Sequence, residues 1–251
     1  MLPFFRKIRY GLAKDQQFFK YSKYAIGEIV LVVIGILIAL QINNWNEERK
    51  FRKEESAYLK RLVSENKDDL ETFKIIRNNL SKGIETIELF SQSLKEPSVS
   101  DSALVLAANE YFRYGSIYPV FTSSTSTFDD LKSTGNLNVI SNANLRDKII
   151  KHYARHKEII DRIEVGNNWA LPIDAQFTMQ NDIMRFEPST SFLFPKEPYE
   201  SYANELRENQ IKYMSNIASH YWINKDCIRI LDDISVETSQ LIGEIENELK
   251  D

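Results

Sequence analysis

The sequence predicts an all-α protein in which a single N-terminal transmembrane helix continues into an extramembrane helical bundle. Three observations predict it. Tyr24 to Ile42, YAIGEIVLVVIGILIALQI, is an apolar run whose only charge is Glu28. At a rise of about 1.5 Å per residue that run is roughly 28 Å long as a helix, close to the thickness of a bilayer core. Beyond it, apolar residues recur three and four apart over long stretches, the helical period. Neither alternating strand runs nor hairpin turns occur, so nothing argues for a sheet.

The apolar run ends in QINNWNEE rather than in a small-residue cleavage site, which predicts an uncleaved anchor. The chain therefore reads as a basic and aromatic flank at 1–23, a membrane helix at 24–42 and a bundle domain at 46–251. In the flank, Phe4, Phe5, Phe18 and Phe19 interleave with Arg6, Lys7, Arg9 and Lys20, and Leu2, Phe5, Ile8 and Leu12 keep helical spacing. Such a segment either lies in the headgroup layer, rings buried and cations on anionic lipid, or serves only to orient the span. Tyr21 and Tyr24 at one end and Trp45 at the other supply the aromatic belts expected at two interfaces.

Charge bounds the partners. Residues 1–42 carry six basic and two acidic residues, leaving 26 basic and 34 acidic for the remainder. An acidic domain is a poor nucleic-acid binder, because that affinity comes largely from neutralising phosphates. Six Lys/Arg precede the span and six follow within twenty residues, so the positive-inside count is a tie. The first span usually dominates when its flank is basic, and long domains translocate regardless of charge. The N-terminus is therefore expected in the cytoplasm and the bundle outside the inner (plasma) membrane. The single Cys227 can form no intramolecular disulfide, so cysteine is silent on redox compartment.

From Asn46 to Glu96 there is no proline and only Gly83, where any bend is expected. Leu59, Leu62, Leu70, Phe73, Ile76, Leu80, Ile84, Ile87, Phe90 and Leu94 make one stripe with a polar gap at Asn66, so one helix should run on from the span. Asp101 to Tyr114 predicts a second helix, closed by Gly115. Thr127 with Asp130 three residues on resembles a capping box opening a short helix that stops at Gly135. Another helix should start at Ser141 or Asn142 and end near Gly166. A further helix is expected over Trp169–Phe186, a three-proline loop over Glu187–Pro198, and one helix over Tyr199–Leu249.

Two blocks resemble a known family. FFRKIR with YAIGEIVLVVIGILIALQINNWNE at 24–47, and LKSTGNLNVISNANLRDKIIKHY at 131–153, are similar to a group of uncharacterised single-pass membrane proteins of Bacteroidota. The resemblance implies a membrane anchor and a domain of unknown function, with no activity, cofactor or catalytic residues to carry over.

The candidate residues each have two readings. His152 and His156 lie one helical turn apart in HYARH and could face one metal ion, but Tyr153 stands where the metalloprotease pattern needs Glu. The competing reading is a partly exposed bundle face. Glu28, an ionisable group inside the span, is a functional candidate; close to the interface it can equally reach headgroups, or pair with Lys23 or a neighbouring chain. Gly35 and Ala39 form a small-xxx-small pair that suits close approach of two spans, a pattern also common by chance. Tyr111, Phe112, Tyr114, Tyr118 and Phe121, like Tyr221-Trp222, suit either a ligand pocket or core packing. Ser133–Asn136 reads as an anion-holding turn or as a helix stop and start.

The expected function is a non-enzymatic membrane protein whose bundle scaffolds, interacts or senses a ligand, with signals passing to a partner through the membrane helix. The alternative is a membrane-tethered metal-dependent enzyme using His152 and His156. No cofactor is implied. Expected partners are the bilayer and a second copy or another membrane protein.

Overall fold

A computed structural model describes residues 18–250, with side chains from Ser22 onward, so the flank before Phe18 lies outside the described residues. The described residues form six α-helices and no strand. These are α1 (Phe18–Lys95), α2 (Asp101–Glu110), α3 (Ser126–Ser133), α4 (Ala143–Gln180), α5 (Tyr199–Glu208) and α6 (Gln210–Glu248). The chain divides into two units, Met1–Ser56 and Ala57–Asp251.

In the first unit, α1 is long and apolar enough to cross a membrane, and none of its most apolar window is buried in protein. Ile29 to Ile42 are exposed on every side of the helix, so this is no core helix of a soluble domain. Gly35 and Ala39 lie on this helix, and a Cβ added at Gly35 would meet nothing within 4 Å.

The second unit is a bundle built on α1 from Ala57, α4 and α6. Its core falls into three clusters that fix the helix directions. Leu59 and Leu62 of α1 pack with Leu145 and Ile149 of α4 and Leu241 and Ile245 of α6. Phe73 and Leu80 meet Ile159, Ile163, Leu231 and Ile234. Ile87 and Phe90 meet Tyr111 beyond α2, Leu206 of α5 and Tyr213 of α6. Helix α4 thus runs parallel to α1, and α6 antiparallel to both. The stripe expected along α1 is the buried face, each large side chain contributing about 1.5–3 kcal/mol.

Several boundaries differ from expectation, each for a local reason. After α2 the chain continues as a π-turn over Tyr111–Gly115. Gly115 does not adopt a left-handed cap. It is required by close approach, since a Cβ there would lie 2.6 Å from the Tyr111 ring and 2.8 Å from Thr86 Oγ1. Gly83 faces the same contact, with the Tyr114 carbonyl oxygen 2.7 Å from where its Cβ would be. Gly135 does close α3 with a left-handed φ of 72°, and Asn142 caps α4 by accepting from Leu145 N–H at 3.2 Å.

The capping box at Thr127–Asp130 does not form. Helix α3 starts at Ser126, and Glu65 of α1 takes the cap instead, accepting from Ser126 Oγ, Thr127 Oγ1 and Thr127 N–H. Asp130 pairs with Arg61 at 3.3 Å. Helix α4 is not broken at Gly166 and contains Pro172, which costs one backbone bond to the carbonyl a turn earlier. Packing along α6 outweighs both breakers. The expected single helix over 199–249 is interrupted at Asn209, whose side-chain amide donates to the Glu205 carbonyl and so competes with the backbone ladder.

Candidate functional site

Two buried polar layers interrupt the apolar core of the bundle. The first joins α1 and α4. His152 and His156 lie with ring centroids 4.3 Å apart, 6% and 1% exposed, so they form no exposed face. Asn66, the polar gap in the α1 stripe, donates from Nδ2 to the Leu62 carbonyl at 2.8 Å and to Tyr153 Oη at 3.2 Å. That fixes the Asn66 amide, so its Oδ1 accepts from His152 Nε2–H at 3.0 Å. His156 is boxed edge-on by Phe73 and Phe121, and among the described residues neither of its ring nitrogens has a partner.

Burial disfavours charge here. It pushes His152 down to about 4. His156 falls to about 3, through burial first and the neighbouring His152 second. Asp69, one turn beyond Asn66, is raised to about 6 by burial, against a lowering bond from Ser124 N–H at 2.8 Å. Its Oδ2 has no partner. Among the described residues, no three His, Cys, Asp or Glu side chains gather where they could hold one metal ion. His220, the third histidine, is engaged in the second layer.

That second layer centres on Asp174 of α4. Its Oδ2 accepts from Tyr118 Oη at 2.7 Å and from His220 Nε2 at 2.6 Å. Its Oδ1 accepts from Asn216 Nδ2, whose Oδ1 in turn accepts from Tyr111 Oη at 2.7 Å. A carboxylate only accepts, so His220 must donate from Nε2, and its buried Nδ1 is left without a partner. Burial works to raise Asp174, but the bonds from His220, Tyr118 and Asn216 hold it below the usual carboxylate range. The layer thus ties the π-turn, the loop after it, α4 and α6 to one carboxylate.

Asp174 lines a groove of about 630 Å³ between α4 and α6, together with Ile173, Phe177, Ile211 and Ser215. A second groove of about the same size, 630 Å³, lies farther along the same two helices beside Trp169 and Trp222. The ring-dense segment divides between the two readings. Tyr111, stacked on Phe90, and Phe121, stacked on Phe73, are core, whereas Tyr118 serves Asp174. Asp174 and Asn216 escaped sequence reasoning; the only available signal was the one-turn spacing of Asn216 and His220.

Residues 28–167 match a family model described as "Family of unknown function (DUF6090)". The chain belongs to this family of unknown function. Nothing among curated proteins and nothing among solved structures matches it. The matched segment of this family member contains Glu28, Gly35, Ala39 and the whole of the His152–His156 layer. The Asp174 layer straddles its edge, with Tyr111 and Tyr118 inside the match and Asp174, Asn216 and His220 beyond it.

Proposed function

We propose that this protein is a single-pass protein of the inner membrane, N-terminus cytoplasmic, whose extracytoplasmic bundle is a non-enzymatic binding module that senses a ligand or holds a partner. The anchor is supported by the unburied apolar helix and by the likeness of residues 24–47 to single-pass membrane proteins of Bacteroidota. The binding role is carried by one observation: the groove between α4 and α6 is open, yet the Asp174 carboxylate that lines it is fixed by three hydrogen bonds. Asp174 is locked by three donors, so the groove walls are held ready before anything binds. The exposed Ile173 and Ile211 on its rim supply apolar contact.

Two experiments test this. A compartment-sensitive reporter fused after Asp251 is expected to report an extracytoplasmic position, and cytoplasmic activity would overturn the topology. A photoreactive diazirine residue at Ile211 in native membranes is expected to give a discrete adduct that Asp174→Ala removes. The same probe at Ile75, exposed on α1, should give none. Equal labelling at the two positions would sink the binding role. In the membrane, Gly35 and Ala39 form the face for close approach of a second copy or another membrane helix. Replacing Gly35 with Ile is expected to lower crosslinking between membrane helices, and unchanged crosslinking would remove that assignment.

A further inference from the structure

The second groove carries a ligand assignment of its own. Helix α4 contributes Arg162, Gly166 and Trp169 at successive turns, and α6 contributes Trp222, Asp226 and Ile230 at successive turns opposite. The walls are apolar, and Trp169 and Trp222 meet edge-on at 6.0 Å while remaining 56% and 59% exposed. Two adjacent indoles left this open on a bundle surface are a large apolar area in water, which marks binding surfaces. Gly166 lies inside α4, where alanine would favour the helix, and a Cβ there would meet nothing within 4 Å. Packing does not demand this glycine. What it provides is clearance along the groove.

Polar groups at the rim are unequally satisfied. Asp226 accepts from Arg162 through Nε at 3.1 Å and Nη2 at 2.8 Å, and from Arg229 Nη2 at 2.7 Å. Its acceptor capacity is spent on two guanidiniums. Arg229 is further offset by Asp233, whereas Arg162 meets Asp226 through Nε and Nη2, and among the described residues its Nη1 is not used in that pair. The rim therefore offers a charged donor beside an apolar slot whose volume of about 630 Å³ is in the range that holds small molecules.

We propose that this groove binds a small amphiphile with a carboxylate head, its alkyl or aryl body lying over Trp169 and Trp222 and its carboxylate on Arg162. The proposal rests on the reading of the bundle as a binding module and names a ligand class for it. The test uses the full chain in lipid nanodiscs with Trp45→Phe, which leaves Trp169 and Trp222 as the only indoles. The probe is 8-bromooctanoate, whose bromine quenches indole fluorescence on contact.

Saturable quenching is expected, weakened about tenfold by Arg162→Gln and for the neutral 8-bromooctan-1-ol, as loss of one charge-assisted hydrogen bond implies. Gly166→Leu, which fills the clearance, is expected to abolish saturation while circular dichroism keeps its helical form and the melting temperature does not fall. Quenching that does not saturate, or is equal for the alcohol, or survives Gly166→Leu, overturns the assignment. If quenching fails while the Ile211 adduct persists, the assignment of this second groove is wrong and the binding role of the Asp174 groove stands. If the adduct also fails, the binding module itself is wrong.

Discussion

The buried histidines show how one residue's surroundings set its chemistry. His152 and His156 titrate near 6.5 in an unfolded chain but are held at about 4 and 3 in the fold. The unfolded state therefore takes up protons first, so the stability tied to the neutral rings is complete above pH 6.5 and declines as pH falls below it. Asp69 acts in the opposite sense: its folded value of about 6 lies above the ordinary 3.8, so its contribution weakens as pH rises from 3.8 to 6. Between pH 4 and 6 the two histidines outweigh the one carboxyl by about one proton, or roughly 1.4 kcal/mol per pH unit. Chemical unfolding across this range is expected to show that acid loss, steepened by Asp69→Asn and reversed in sign by His152→Gln with His156→Leu, which leave only the opposing Asp69 contribution. A flat profile for the unaltered protein would contradict the buried neutral pair. The one-turn spacing in HYARH made their adjacency legible in the sequence. Their burial was not, because Phe73 and Phe121 come from more than thirty residues away.

At the scale of elements, glycines that look alike in sequence do different work. Gly83→Ala sets a Cβ 2.7 Å from the Tyr114 carbonyl oxygen, a backbone atom that cannot turn aside. Thermal unfolding should show a loss of about 1–3 kcal/mol. Gly243 lies inside α6 with nothing within 4 Å of an added Cβ, so Gly243→Ala should stabilise by about 0.5–1 kcal/mol. The two changes are expected to move the melting temperature in opposite directions. At the start of α3, Glu65→Ala removes an acceptor for three donors and should cost about 1–2 kcal/mol. A pattern such as Thr127–Asp130 is a correct cue to a helix start. It names the wrong cap, because a carboxylate from a distant helix competes with the local one.

Across the whole molecule, the Asp174 layer is a polar tie that joins α4, α6 and the segment containing Tyr111 and Tyr118 at one carboxylate. Asp174→Ala leaves Tyr118, His220 and Asn216 without their acceptor and should destabilise the bundle by about 3 kcal/mol. Calorimetry on the purified chain would check this, and a change under 1 kcal/mol would demote the layer to a surface decoration. The sequence by itself determined the all-helical class, the apolar run at 24–42 and most helix boundaries. Those signals are local, recurring every three or four residues, and need no knowledge of what packs where. Tertiary structure alone decided that Gly166 and Pro172 would not break α4, that Asn66 would anchor a buried histidine, and that Asp174 would become a hub. Each of these depends on groups between about forty and ninety residues apart, brought together by the summed burial of three helices, and no spacing along the chain encodes that.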